Sequence, residues 1–432
     1  MRGLLAVTAL TALLAGCSGA ASPASPPIPG VSASLPPLHL SPPRSLPPMR
    51  QAAHWGTLFG GKKGHLVTRL SPVTVTLPGN VAEIGSSNST EYALLTNGSV
   101  YAWGLGTQGQ LGDGQKQDSA TPVLVRFPAG VKIASIPADV MPYDTGLAVD
   151  TTGHVWGWGH NHGGELCTGN TRQYLTPVRL PLQRVTALAG AANHAVYDTA
   201  GTVVSCGQNV TGDLGTGSRS NSTTPVRVAG LRGMNVTQLY ASFANEAALT
   251  AGGKYFDWGY DGQGQLGDGQ FGRLSDVPVR VRLRAPVVQA ALGGSLEGNG
   301  QTLVKLADGS LWAWGDNGAF QLGTGRRGNK ASPVLFRSPP GVTYRLLATG
   351  SATSYAVTSA GGVYAWGVSR LGQVGNGKTR AARFPVRVAT GAKLISSTAD
   401  NVVVTLLATS GLAGQHSKPG QHSKPGKHGR HG

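Results

Sequence analysis

Short apolar runs broken by glycine, asparagine and proline follow one another along most of this chain, and their order is constant. In the clearest copy, Ala93–Thr96 is an apolar run ending at Asn97-Gly98, a pair that predicts a two-residue hairpin turn. The returning run Val100–Trp103 is aromatic and β-branched, which suits a pleated, half-buried strand. A glycine-dense loop follows, then Pro122–Val125, a strand opened by proline where no ladder donor is required. Pro-Val strands stand in the same place at Pro177, Pro225, Pro278, Pro333 and Pro385. Ahead of each hairpin lies a further apolar segment, such as Val185–Ala189 or Val287–Ala291. The unit is four short strands.

The unit recurs. The phrase over Tyr101–Gly114 has counterparts beginning at Trp156, Val204, Phe256, Trp312 and Tyr364. Their anchor glycines, Gly104, Gly159, Gly207, Gly259, Gly315 and Gly367, fall 48 to 56 residues apart. Such a period means one supersecondary unit per repeat, too small to bury a core alone and stacked on its neighbours. Four strands per unit make a propeller blade. The ends supply a further blade: His54-Trp55-Gly56 and Pro72–Val75 look like the second half of a repeat, Lys393–Ser396 and Val402–Leu407 like the first half. Joined, they remove exposed strand edges. The pattern predicts an all-β fold, a seven-bladed β-propeller over residues 52–410 with blade seven closed by N-terminal and C-terminal strands.

Val100–Gly104 (VYAWG), Gly109–Gly114 (GQLGDG) and Thr121–Val123 (TPV) together resemble the regulator of chromosome condensation repeat, whose members form seven-bladed propellers. The resemblance recurs in every unit and is specific for fold. It carries departures. The family usually has a histidine seven residues before the hairpin glycine; counted this way only His194 keeps it, and Glu91, Gly146, Glu246, Thr302 and Ser354 take its place elsewhere. Cys206 stands where the third repeat should have tryptophan, and Cys167 replaces a glycine of the second.

Outside the repeats, residues 1–17 have the form of an export signal, with Arg2 before the apolar run Leu4–Leu14. Leu14-Ala15-Gly16-Cys17 matches a bacterial lipoprotein cleavage box, which implies cleavage before Cys17 and lipidation of its thiol; a signal cut elsewhere is the blander reading. Several acyl chains would anchor the chain stably. Residues 18–50 are rich in Pro, Ser and Ala and suit an extended spacer, about 90 Å at roughly 3.1 Å per residue. Residues 411–432 form a His/Lys/Gly-rich tail that cannot build a core; adhesion to anionic wall or lipid is favoured there over loose metal binding. The expected location is the extracytoplasmic face of a bacterial cell membrane. There Cys167 and Cys206 have two open readings, a disulfide or two small buried apolar side chains.

Local motifs do not argue for an enzyme. Gly372–Thr379 matches the phosphate-loop pattern, but that pattern needs a helix behind it, and here it is another repeat loop running to Phe384-Pro385-Val386. Gly104–Gly109 matches a dinucleotide fingerprint by the same accident. His160 and His162 flank one residue without accompanying ligands, and Glu165, Asp213, Asp261, Asp268 and Asp316 sit in or near turns that explain them. No catalytic residue, metal or cofactor is expected.

Charge is the asymmetric feature. The net charge is +17, and no acid occurs between Asp316 and Asp400. Arg326, Arg327 and Lys330 follow the glycine loop of one repeat, and Lys378, Arg380 and Arg383 follow that of the next. Equivalent loops emerge on one rim, so these six side chains predict a basic patch that concentrates anionic partners; a merely solvated surface is the competing reading. The expected role is a membrane-anchored, surface-exposed, monomeric binding module for a protein or anionic envelope component, with nucleic acid disfavoured by export. Two alternatives come from resemblance: inhibition of a secreted enzyme, as in exported propellers that block β-lactamases, and guanine-nucleotide exchange, which needs a cytosolic partner.

Overall fold

A computed structural model describes residues 50–59, 66–88, 90–137, 141–243, 245–295, 298–336, 338–397 and 403–408. The export signal with Cys17, nearly all of the spacer and the tail lie outside these residues. The described strands form seven four-stranded antiparallel sheets. Strands β1 (Gln51–Phe59) and β2 (Leu66–Thr76) precede the first complete sheet, β3 (Val81–Ser87), β4 (Thr90–Leu95), β5 (Val100–Gly104) and β6 (Ser119–Leu124). Five further quartets run from β7 (Ile133–Ser135) to β10 (Tyr174–Gln183), β11 (Val185–Ala191) to β14 (Ser222–Arg227), β15 (Val236–Ala241) to β18 (Arg273–Arg280), β19 (Val287–Gly294) to β22 (Lys330–Phe336) and β23 (Tyr344–Thr349) to β26 (Ala382–Ala389). The last two strands, β27 (Ala392–Ser397) and β28 (Val403–Ala408), join β1 and β2 in the order β2-β1-β28-β27. Ala52 to Gly56 pair with Leu407 to Val403. The chain is an all-β propeller.

Burial follows strand order. The second strand of a sheet is covered on both faces, as in β4, while the outermost strand alternates toward solvent, as in β6. The first strands β3, β7, β11, β15, β19, β23 and β27 all line one cavity of about 480 Å³. The Pro-Val strands explain their proline. Between Ala102 and Gly104 the ladder to β6 shifts register, pairing Val123 with Ala102 and Ser119 with Gly104. Pro122 falls inside that bulge, where no N–H is needed. The same shift occurs around Pro225 and Pro385.

One turn differs from expectation. Asn97-Gly98 is not a two-residue turn: Leu94 pairs with Val100 and only Gly98 has positive φ, 84°, so three residues close the hairpin. A two-residue primed turn needs left-handed backbone at both central positions. The third repeat has it, at Ala200 (φ 56°) and Gly201 (φ 90°).

Candidate binding surface

Neighbouring sheets are locked by one recurring contact. Trp158 Nε1 donates to the Gln110 carbonyl at 2.9 Å, and Trp258, Trp314, Trp366 and Trp55 donate likewise to the carbonyls of Asp213, Gln265, Gln321 and Gln373. Each indole lies over the glycine two residues further on. A Cβ at Gly112, Gly267 or Gly323 would come within 2.9 Å of the ring nitrogen. Between the second and third sheets this contact is replaced. Cys167 occupies the glycine position and Cys206 the tryptophan position, and they form a disulfide with Cα atoms 5.4 Å apart. Both are fully buried, and Cys167 keeps the left-handed backbone of the glycines it replaces, φ 56°. The two departures are halves of one substitution.

A second departure also resolves in register. Counting from the hairpin glycine aligned His194 with Glu91 and Glu246. The shorter turn of the third repeat instead sets Ala195 opposite Cys206, whereas Glu91 faces Trp103 and Glu246 faces Trp258. A one-residue slip carries a side chain to the other face of its strand. His194 therefore turns toward the fourth sheet, where its Nε2 lies 2.6 Å from Glu246 Oε1. Burial opposes charge on the imidazole, but Glu246, with Asp213 and Glu165 nearby, holds its pKa up to about 9. Burial raises Glu246 to about 7 against the pull of His194. His194, Asp213 and Glu246 bring donor atoms within 4.8 Å of one another, close enough to share a metal ion; the imidazolium supplies a positive charge there. A similar buried pair, His54 Nδ1 to Glu91 Oε1 at 2.8 Å, joins β1 to β4.

The other motifs fall to loop chemistry. Asn161, Asn209, Asp261 and Asn317 accept the N–H of Leu166, Leu214, Leu266 and Leu322, so one side-chain acceptor shapes each loop. The His160 and His162 rings have centres 4.3 Å apart, and His160 Nδ1 lies 2.7 Å from Glu165 Oε1. Asp213 accepts the Thr211 hydroxyl. Gly372–Thr379 leads into β26, and no helix occurs among the described residues.

The rim of the fifth and sixth sheets is where the basic residues emerge. Arg326, Arg327, Lys330, Lys378, Arg380 and Arg383 are all exposed, and none has an ion pair among the described residues. Asn317 donates to the Arg326 carbonyl and Ser369 to the Lys378 carbonyl, so Arg326 and Lys378 hold the same place in successive loops. The structure brings two of the six together. The guanidiniums of Arg327 and Arg383 lie 4.8 and 5.3 Å from the centre of the Phe320 ring. Sequence reasoning missed Phe320, although it breaks the run of glycines at that loop position.

A model of the regulator of chromosome condensation (RCC1) repeat matches residues 97–138, 200–242, 308–357 and 360–401. The chain is 28% identical over 372 residues to the ultraviolet-B receptor UVR8 of Arabidopsis thaliana, covering 84% of this chain and 79% of the receptor. It is 29% identical over 341 residues to the human E3 ubiquitin-protein ligase HERC2, covering 78% of this chain and 6% of the ligase. The crystal structure of Prp20p from Saccharomyces cerevisiae, described with its binding to Gsp1p and histones, shares the fold with a TM-score of 0.71 at 21% identity, over 84% of this chain and 92% of that one. Repeat, strand order and fold agree: four stretches of the chain match the RCC1 repeat, and most of its length is similar to RCC1-like propellers.

Proposed function

We propose that this protein is a non-catalytic binding module: a seven-bladed ring, lipid-anchored through Cys17, held off the membrane by residues 18–50, and offering a basic rim to a protein or anionic envelope partner. The observation that carries the reading is the rim itself, six exposed cations on adjacent blades, none of them in an ion pair among the described residues. Clustered cations speed encounter with an anionic partner, and a rigid scaffold lets loops of two blades act as one surface. Protein binding by the yeast protein Prp20p, whose structure is described with its binding to Gsp1p and histones, supports the class of partner. The seven sheets and the pairing of β1 with β28 support the ring of residues 52–410 as the folded unit, with the tail beyond residue 410 outside it.

The test is capture from cell-envelope extract by the full chain, beside a variant with Arg326, Arg327, Lys330, Lys378, Arg380 and Arg383 changed to serine. A specific partner lost only in the variant supports the rim. Equal capture by both sinks it. The anchor is tested by palmitate incorporation, which Cys17→Ser should abolish; undiminished labelling would exclude lipidation at Cys17.

A further inference from the structure

Phe320 stands where the other loops have Gly109, Gly164, Gly212, Gly264 and Gly372, whose φ values run from 76° to 87°. It keeps the same left-handed backbone, φ 70°, a conformation that bulky side chains seldom adopt. Five loops make this turn with glycine, so the turn does not require the ring. What the ring adds is a platform under two guanidiniums from different blades, Arg327 and Arg383. Both lie about 5 Å from one centroid, so they are at most about 10 Å apart. Like charges held side by side, with no acid between Asp316 and Asp400, leave an attractive site for anions. Stacking removes rotamer freedom that a ligand would otherwise have to quench.

An apolar cleft adjoins this pair. Gly323 and Thr324 of the Phe320 loop, with Leu335, Pro339, Phe384 and Pro385, line a cavity of about 410 Å³. Leu335 is 44% exposed and Phe384 59% exposed. Phe384 follows Arg383 directly and lies over Gly325, where a Cβ would come 2.2 Å from the ring. Cation and apolar wall are thus fixed together on β26.

We propose that this cleft binds an acidic peptide segment carrying one apolar side chain, its carboxylates on Arg327 and Arg383 and its apolar group between Leu335 and Phe384. The proposal rests on the reading of the rim as a binding surface and names its ligand. An anionic polymer without apolar groups would leave the cleft empty. A strand of nucleic acid stacks its bases on successive exposed aromatic platforms, whereas here only Phe384 is exposed and Phe320 is buried beside the two guanidiniums.

The experiment is fluorescence anisotropy of the full chain, purified in mild detergent, with three labelled probes: a short Asp/Glu-rich peptide bearing one leucine, its leucine-to-serine counterpart, and oligothymidylate. The leucine peptide should bind best, weakening about tenfold or more without its leucine or in Leu335→Ser/Phe384→Ser. Phe320→Gly should weaken it several-fold without loss of folding, because glycine suits the backbone there. Equal binding of the two peptides, or tighter binding of oligothymidylate, would overturn the peptide cleft while leaving an anionic rim in place. Binding of none of the probes would also overturn it, and capture from envelope extract then decides separately whether the rim binds anything.

Discussion

At the scale of single residues, this chain uses departures from its own repeat as paired events. His194 meets Glu246 because Ala200 and Gly201 close their hairpin one residue short. The pair has a pH signature. A histidine whose folded pKa is raised stabilises the fold fully below its unfolded value, near 6.5, and that contribution is lost as pH rises through the folded value. Glu246, raised from 4.5 to about 7, changes stability in the same direction but at lower pH, between those two values, so the window above 6.5 belongs mainly to His194. Urea unfolding should therefore show stability falling on the order of 2–3 kcal/mol between about pH 6.5 and 9. His194→Gln should flatten the upper part of that fall. An unchanged slope in the variant would assign the pH dependence to other groups.

At the scale of elements, the indole-over-glycine contact joins five pairs of neighbouring sheets, and the Cys167–Cys206 bridge takes its place between a sixth pair. Loss of that bridge, which closes a sequence separation of 39 residues, should cost about 2–4 kcal/mol in Cys206→Ser. Restoring both halves of the repeat, Cys167→Gly with Cys206→Trp, should recover much of the loss under reducing conditions, as measured by thermal unfolding. A double variant no more stable than the single one would show that this junction no longer accepts the indole. Both halves were legible in the sequence as departures from the repeat, with a disulfide between them one of two open readings. The choice was not legible, because the contact runs between repeats, and spacing within a repeat cannot report it.

At the scale of the whole molecule, closure rests on strands from opposite ends of the chain. The β1–β28 ladder pairs Ala52 with Leu407 across nearly the entire sequence. Deleting residues 51–76 would leave β28 with an open edge, and an exposed edge recruits other chains. The truncated protein should aggregate and lose cooperative unfolding, measured by light scattering and circular dichroism. A monomeric variant melting at the original temperature would mean that closure contributes little.

The sequence alone determined the four-strand unit and the pairing of the two ends, because strand periodicity and turn residues are local and repeat. It also placed the six basic residues after two neighbouring glycine loops. Hairpin type, and with it the face taken by His194, was decided by backbone conformation at Ala200, where sequence favours no left-handed residue. The disulfide junction and the Phe320 platform depended on contacts between sheets. Such contacts join residues distant along the chain, so only the tertiary structure could decide them.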